Sequence, residues 1–352
     1  MSSGSPLVWT LFAAVVILAL AVDLGIFHRH AHVVRIREAA IWTAVWAALA
    51  LGFNGFIYYR FGGVKAAEFL QGYLLEYALS IDNVFVFLIV FRYFKVPQDQ
   101  LHRVLFWGII GAVVSRGIFI GAGAVIISRF HWVMYILGLF LVYTGIKIVF
   151  QKDGEVDPGR NPALRIFRRL VPTVSTYQGQ KFLIRKDGRT FATPLLVVLV
   201  VVEMTDVMFA VDSIPAIFGV TTDVFIVFTS NIFAILGLRS LFFLIEGLVS
   251  KLRYLKVGVA AILTFIGVKI LIKGWWEMPV LLSLGILGGV LIISTIASLV
   301  FPAPKETTPE EVATGIGLPH VPHSPHSPSS PPSHSPHPPG TSSPGPSGSA
   351  GS

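Results

Sequence analysis

The stretch Glu76-Tyr-Ala-Leu-Ser-Ile-Asp82-Asn83 sits inside an apolar run, and its pattern returns as Asp206-Val-Met-Phe-Ala-Val-Asp212-Ser213. Both read as an acid, five residues, Asp and a small polar residue. Downstream the correspondence continues in the same order. Arg116 answers to Arg239, and Thr144-Gly145-Ile-Lys147-Ile answers to Ile266-Gly267-Val-Lys269-Ile. Three anchors in nearly the same register mark an internal repeat, which has to be recognised before the elements are assigned.

The surroundings of the repeat say where it resides. Of 352 residues, 54% are hydrophobic and 13% charged, with a mean hydropathy of +0.73; a soluble domain carries about 25% charged residues, so a water-soluble globule is excluded. A bilayer core takes about 20 apolar residues per helix. Runs of that kind lie at Leu7 to Phe27, Ala39 to Tyr59, Ala66 to Phe91, Leu105 to Ile127, Val133 to Phe150, Pro194 to Phe218, Val224 to Leu248, Val257 to Ile272 and Met278 to Val300. The first lacks a basic leader and a small-residue cleavage site, so it reads as a retained span.

Each copy of the repeat contains three spans, an odd number, so the second copy must enter the membrane from the opposite side. The sequence thus predicts an all-α polytopic membrane protein of about nine transmembrane helices with two inverted three-helix repeats. Residues 1–65 form two N-terminal helices, 66–150 the first repeat unit, 151–190 a basic loop, 191–273 the second unit and 274–301 a last helix. Residues 302–352, with 14 Pro, 11 Ser, 6 Gly and 5 His, have too little apolar surface to offset their ordering entropy and are expected to be a disordered tail.

Lys and Arg collect on the cytoplasmic side of a membrane. The loops after spans one, three, five and seven, with Lys305, carry 19 of them, against Arg60, Lys65, Arg129 and Lys273 on the other side. The N-terminus is therefore expected outside and the C-terminus in the cytoplasm, in the cell's inner (plasma) membrane. The net charge of +8 is explained by basic loops held beside anionic lipid, so nucleic acid is not an expected partner. Cysteine is absent, which excludes thiolate metal sites and thiol nucleophiles in this chain.

Ionisable groups inside a bilayer are costly and mark function by default. Asp23, Glu76, Asp82, Glu203, Asp206, Asp212 and Glu246 fall within the spans, as do Arg116 and Arg239. Glu76, Asp82, Glu203, Asp206 and Asp212, with Asn83 and Ser213 beside them, form an oxygen-rich set of the kind hard divalent cations require. An i, i+6 pair is separated by about 240° around a helix, so the two acids of each copy point apart unless the backbone unwinds. Pro215 frees a carbonyl near Val211, and unwinding is expected near Asp212, and also near Asp82, although that segment has no Pro or Gly. Salt bridges from Arg116 and Arg239 to these acids are the competing structural explanation. Lys147 and Lys269 are expected to snorkel at helix C-termini, Glu246 likewise near the end of its span, and Asp23 with His28 and Arg29 to form an interfacial cluster.

These segments, with Asp23-Leu-Gly-Ile-Phe-His28-Arg29, resemble the TerC/Alx family of integral membrane proteins, historically named for tellurium resistance and set within the LysE-type exporter group. The resemblance covers roughly Asp23 to Leu299. It implies export of manganese from the cytoplasm, with Glu76, Asp82, Asn83, Glu203, Asp206, Asp212 and Ser213 as the metal-handling set; Arg116, Arg239 and Asp23 are the candidate counter-ions or gating groups. The expected function is a secondary transporter working by alternating access, with Mn²⁺ as substrate rather than cofactor, no cofactor, and proton exchange as the coupling. Competing classes are a membrane anchor for a metal or tellurium stress-response complex and an intramembrane aspartyl protease. The protease's Gly-x-Gly-Asp context is absent at both Asp82 and Asp212. Glu203 has no acidic counterpart in the first unit, where Tyr73 stands, so its loss is expected to matter less.

Overall fold

The computed structural model describes residues 5–27, 35–150, 169, 171–186, 188–247 and 254–301, the side chains of 23–27 and 299 excepted. The tail with its histidines, half of the 151–190 loop, His28 and Arg29 lie outside the described residues.

The chain runs α1 (Pro6–Phe27), α2 (Ile36–Phe61), α3 (Gly63–Tyr93), α4 (Gln98–Arg129), α5 (Val133–Phe150), β1 (Leu183–Lys186), β2 (Arg189–Ala192), α6 (Pro194–Phe218), α7 (Val224–Leu236), α8 (Leu238–Glu246), α9 (Leu255–Ile272) and α10 (Val280–Val300). Among the described residues seven helices are long and apolar enough to cross a membrane, or eight if the bent pair α7 and α8 is one span. The apolar part described for α1, Pro6–Val22, is shorter. The architecture is that of a polytopic membrane protein. Apolar side chains face outward all round it, among them Leu7, Ile17, Ile118, Leu139, Phe150 and Ile293, which suits a hydrocarbon surrounding rather than water.

The 31-residue α3 is the axis of the bundle. It is roughly 46 Å long at 1.5 Å per residue and packs against α2, α6, α7, α8 and α10. Gly62, at φ +88°, turns the end of α2 directly into α3; the left-handed conformation favours glycine there. Aromatic packing of Phe12, Phe53, Phe69, Phe225 and Phe233 welds α1 and α2 to α3 and α7, with the Phe53 and Phe233 ring centroids 4.7 Å apart.

Among the other pairings, α3 packs on α7, α4 on α6 and α5 on α9. At the last of these interfaces a Cβ on Gly145 would meet Ala260 O and Thr264, and a Cβ on Gly267 would meet Gly138 O and Val142. Small residues are what allow membrane helices to approach this closely.

Three features depart from the sequence expectation. The loop before α6 carries a two-stranded antiparallel ribbon that pairs Leu183 with Ala192 and Lys186 with Arg189, outside the helical spans. Its sequence signal is Asp187-Gly188 between two short alternating runs. The ribbon segment docks on the ends of α3 and α4: Tyr177 Oη donates to Phe94 O at 2.8 Å, and Arg103 lies 4.9 Å over the Phe182 ring. Burial there pushes the Tyr177 hydroxyl's pKa up. Second, the seventh span is broken at Gly237, where α7 and α8 diverge by 44°; a Cβ at Gly237 would approach Trp46 on α2 at 3.4 Å. Third, α6 stays helical through Asp212 and α3 through Asp82, so the expected unwinding is absent. Pro215 lies in the last turn of α6, where its missing donor costs one bond, and the chain closes with Gly219 N–H on Pro215 O at 3.0 Å.

Candidate functional site

Because both helices remain regular, the 240° separation between the acids of each copy is realised, and the carboxylates divide into two groups. Glu76 on α3 and Asp206 on α6 turn toward Arg116 on α4. All three side chains are buried, at 1%, 4% and 1% exposure for Glu76, Asp206 and Arg116. Arg116 Nη2 donates to Asp206 Oδ1 at 3.0 Å and Nε to Oδ2 at 3.4 Å, a forked pair. Nη1 forms an ion pair with Glu76 Oε1. The second Glu76 oxygen accepts from Asn231 Nδ2 on α7 at 2.9 Å. One arginine thus bridges the two acids, and the group carries one net negative charge when both acids are ionised.

The other pair, Asp82 and Asp212, is half-buried. Asp212 lies within electrostatic reach of both Asp82 and Lys147. Their neighbours Asn83 and Ser213 are buried. Among the described residues neither Ser213 Oγ nor Ser80 Oγ has a hydrogen-bond partner. Glu203, half-buried on the face of α6 that meets α4, is near Asp206. Among the described residues no cluster of three His, Asp or Glu side chains is close enough to hold a metal ion; the five carboxylates do not converge on one point.

Arg239 on α8 is as buried as Arg116, and its Nη2 lies 2.9 Å from Nδ1 of His102 on α4. Between Asp206 and Arg239 is a cavity of about 10 Å³, lined also by Gly108, Ala112 and Leu238, the size of one water. Asp23 is in the last turns of α1, and its side chain is not among those described. Glu246 is half-buried within electrostatic reach of Arg92. Lys269 does not simply snorkel: its Nζ donates to Ser283 Oγ at 3.2 Å, and Ser283 also receives Gln71 Nε2.

Several of these polar residues escape a search for charged motifs. Asn231 and Gln71 are visible only as amides in apolar runs, a signal of interhelical bonding in membranes. Glu68, just inside the third span, joins Lys65, Thr221 and Asp223 where α3 begins and α6 passes to α7. Lys65 Nζ is 2.9 Å from Glu68 Oε2 and 3.2 Å from Asp223 Oδ2, and Thr221 Oγ1 donates to Glu68 at 2.7 Å.

Comparison with known proteins gives this arrangement its kinship. The sequence pattern of the family described as "Integral membrane protein TerC family" matches residues 61–306. The chain is 49% identical over 299 residues to the uncharacterized membrane protein STKORF319 of Myxococcus xanthus, covering 85% of this chain and 94% of that protein. It is 45% identical over 302 residues to the "Putative membrane-bound redox modulator Alx" of Escherichia coli (strain K12), with coverage of 83% and 94%. An uncharacterized membrane protein of Rickettsia felis is 38% identical over 292 residues, with coverage of 83% and 97%. No solved structure matches. On the family match and on these relatives, the chain belongs to the TerC family of integral membrane proteins.

Proposed function

We propose that this protein exports a divalent cation, Mn²⁺ by preference, through the bilayer interior by alternating access. The observation that carries this reading is the set of repeat-related acids within the spanning helices: Glu76 with Asp206 on Arg116, and Asp82 within electrostatic reach of Asp212. Acids inside a bilayer are costly, and function is the usual reason they persist. Carboxylate, hydroxyl and amide oxygens suit a hard cation, and the chain offers no thiolate. In the resting arrangement Arg116 supplies the positive charge between Glu76 and Asp206, while Glu203, Asp82 and Asp212 form the half-exposed approach. A cation leaving a carboxylate in an apolar interior is replaced most cheaply by a proton, so proton exchange is the coupling in this account.

The inverted repeat belongs to the same proposal. Its support is reciprocal packing at α5 and α9. Gly145 meets Ala260 and Thr264, and Gly267 meets Gly138 and Val142, which are the same positions exchanged between units. Such exchange of partners is what a two-fold relation between like surfaces produces. The proposed nine spans put Glu277, exposed between α9 and α10, outside, and Gln178, exposed in the loop before α6, in the cytoplasm. The background lacks cysteine, so Glu277→Cys and Gln178→Cys isolate each position. Labelling of intact cells with an impermeant maleimide is expected for the Glu277→Cys variant only; equal labelling of the Gln178→Cys variant contradicts the orientation.

The relatives' name, membrane-bound redox modulator, transfers here at most as an indirect effect, since this chain has no thiol of its own. The transport reading is tested in a manganese-sensitive host. Expression is expected to raise Mn²⁺ tolerance and lower cell manganese; unchanged manganese content in cells holding inserted protein contradicts it.

A further inference from the structure

The sharpest constraint near Asp206 is imposed by a residue with no side chain. A Cβ built on Gly111 of α4 would collide with the Glu203 carboxylate, with Oε1, Oε2 and Cδ as its nearest atoms. The neighbouring contact is looser, a Cβ on Gly108 meeting Val202 at an ordinary 3.5 Å. The Glu203 carboxylate therefore occupies the volume that a side chain at position 111 would need. Among the described residues no donor is hydrogen-bonded to it, whereas Asp206, one turn along α6, is gripped by Arg116. Glu203 is half-buried and Gly111 is partly accessible, so the niche is not a sealed packing contact.

We propose that Gly111 is a positioning residue: the space it leaves holds the Glu203 carboxylate beside Asp206 as an oxygen ligand for the passing divalent cation. This inference rests on the cation-transport reading. It gives Glu203 a greater part than its lack of a counterpart in the first repeat unit suggests. A glycine in a helix interior is a poor helix former, and here it is the residue that leaves room for the carboxylate. Adding one methyl group moves the carboxylate by roughly one bond length, about 1.5 Å, which is large against the tolerance of a cation's coordination distance.

The test is Mn²⁺ flux into vesicles containing the purified full chain, comparing wild type with Gly111→Ala, Glu203→Asp, Glu203→Gln and the double variant Gly111→Ala/Glu203→Asp. Gly111→Ala is expected to raise the KM for Mn²⁺ about tenfold, with a smaller change in maximal rate and a shifted preference between Mn²⁺ and Ca²⁺. Glu203→Gln is expected to lose flux. The double variant is expected to recover, because aspartate is shorter by the one carbon that alanine adds. Loss of packing alone would lower the yield of folded protein and leave KM and cation preference unchanged. If Gly111→Ala does not accumulate, the double variant against Glu203→Asp carries the same comparison. An unchanged KM in Gly111→Ala, full flux in Glu203→Gln, or no recovery in the double variant overturns the proposal. Absence of flux in wild type overturns the cation-transport reading instead.

Discussion

Asp82→Asn and Asp212→Asn are each expected to abolish Mn²⁺ export while leaving membrane insertion intact. Asparagine keeps the size of aspartate and deletes its charge. A divalent ion that sheds water inside the bilayer needs anionic oxygens in exchange, and losing one charge-assisted contact, worth roughly 3 kcal/mol, corresponds to a fall in flux of about 100-fold or more. The pair occupies matching positions in the repeat, so the two losses should be similar. The check is Mn²⁺ tolerance of cells at matched levels of each variant. Near-normal tolerance with both aspartates changed removes the pair from the pathway and leaves the buried ion pairs as structural features.

Arg116→Met has the other large effect, and it falls on folding. Glu76 and Asp206 are both buried and take their positive charge from Arg116. Removing it strands carboxylates in an apolar interior, at a cost of about 3–5 kcal/mol for one broken buried pair. The variant is expected to give little monodisperse protein after detergent extraction. The combination Glu76→Gln/Arg116→Met/Asp206→Asn leaves no uncompensated charge, since replacing a whole buried ionic group with neutral residues is often nearly neutral. It should restore the yield of monodisperse protein without restoring export. If Arg116→Met alone gives normal yield, the network does not hold the helices together as described.

Much of this is legible in the sequence because each feature has a local cause. The intramembrane acids Glu76, Asp82, Asp206 and Asp212 stand out in apolar runs, and the 240° argument anticipates that two acids six residues apart cannot share a helix face. What it misjudges is the remedy: unwinding is the expectation, so that the acids can meet, whereas the helices stay regular and the acids divide between Arg116 and the Lys147 side. Pro215 is a weak breaker because only three residues of α6 follow it. The break at Gly237 is hidden because a lone glycine between Leu236 and Leu238 carries no breaker signal of its own, and only packing of α2 on α8 gives that glycine its meaning. Asn231 and Glu68 are present in plain sequence, but Asn231 bonds to Glu76 and Glu68 to Thr221 across more than 150 residues, a relation no local pattern carries; only the Lys65–Glu68 pair is local. Gly111 is wholly illegible, since a glycine's function here is the volume it leaves for a side chain from another helix.

The central claim, that repeat-related carboxylates carry a divalent cation through the bilayer, is tested most directly in sealed vesicles containing only the purified protein. Mn²⁺ entry would be recorded with and without an imposed pH gradient, for wild type and for Asp82→Asn/Asp212→Asn. The account predicts Mn²⁺ flux in wild type, faster when protons can move in the opposite direction, and none above protein-free vesicles in the double variant. Equal flux in the two proteins, or none in correctly inserted wild type, would contradict it.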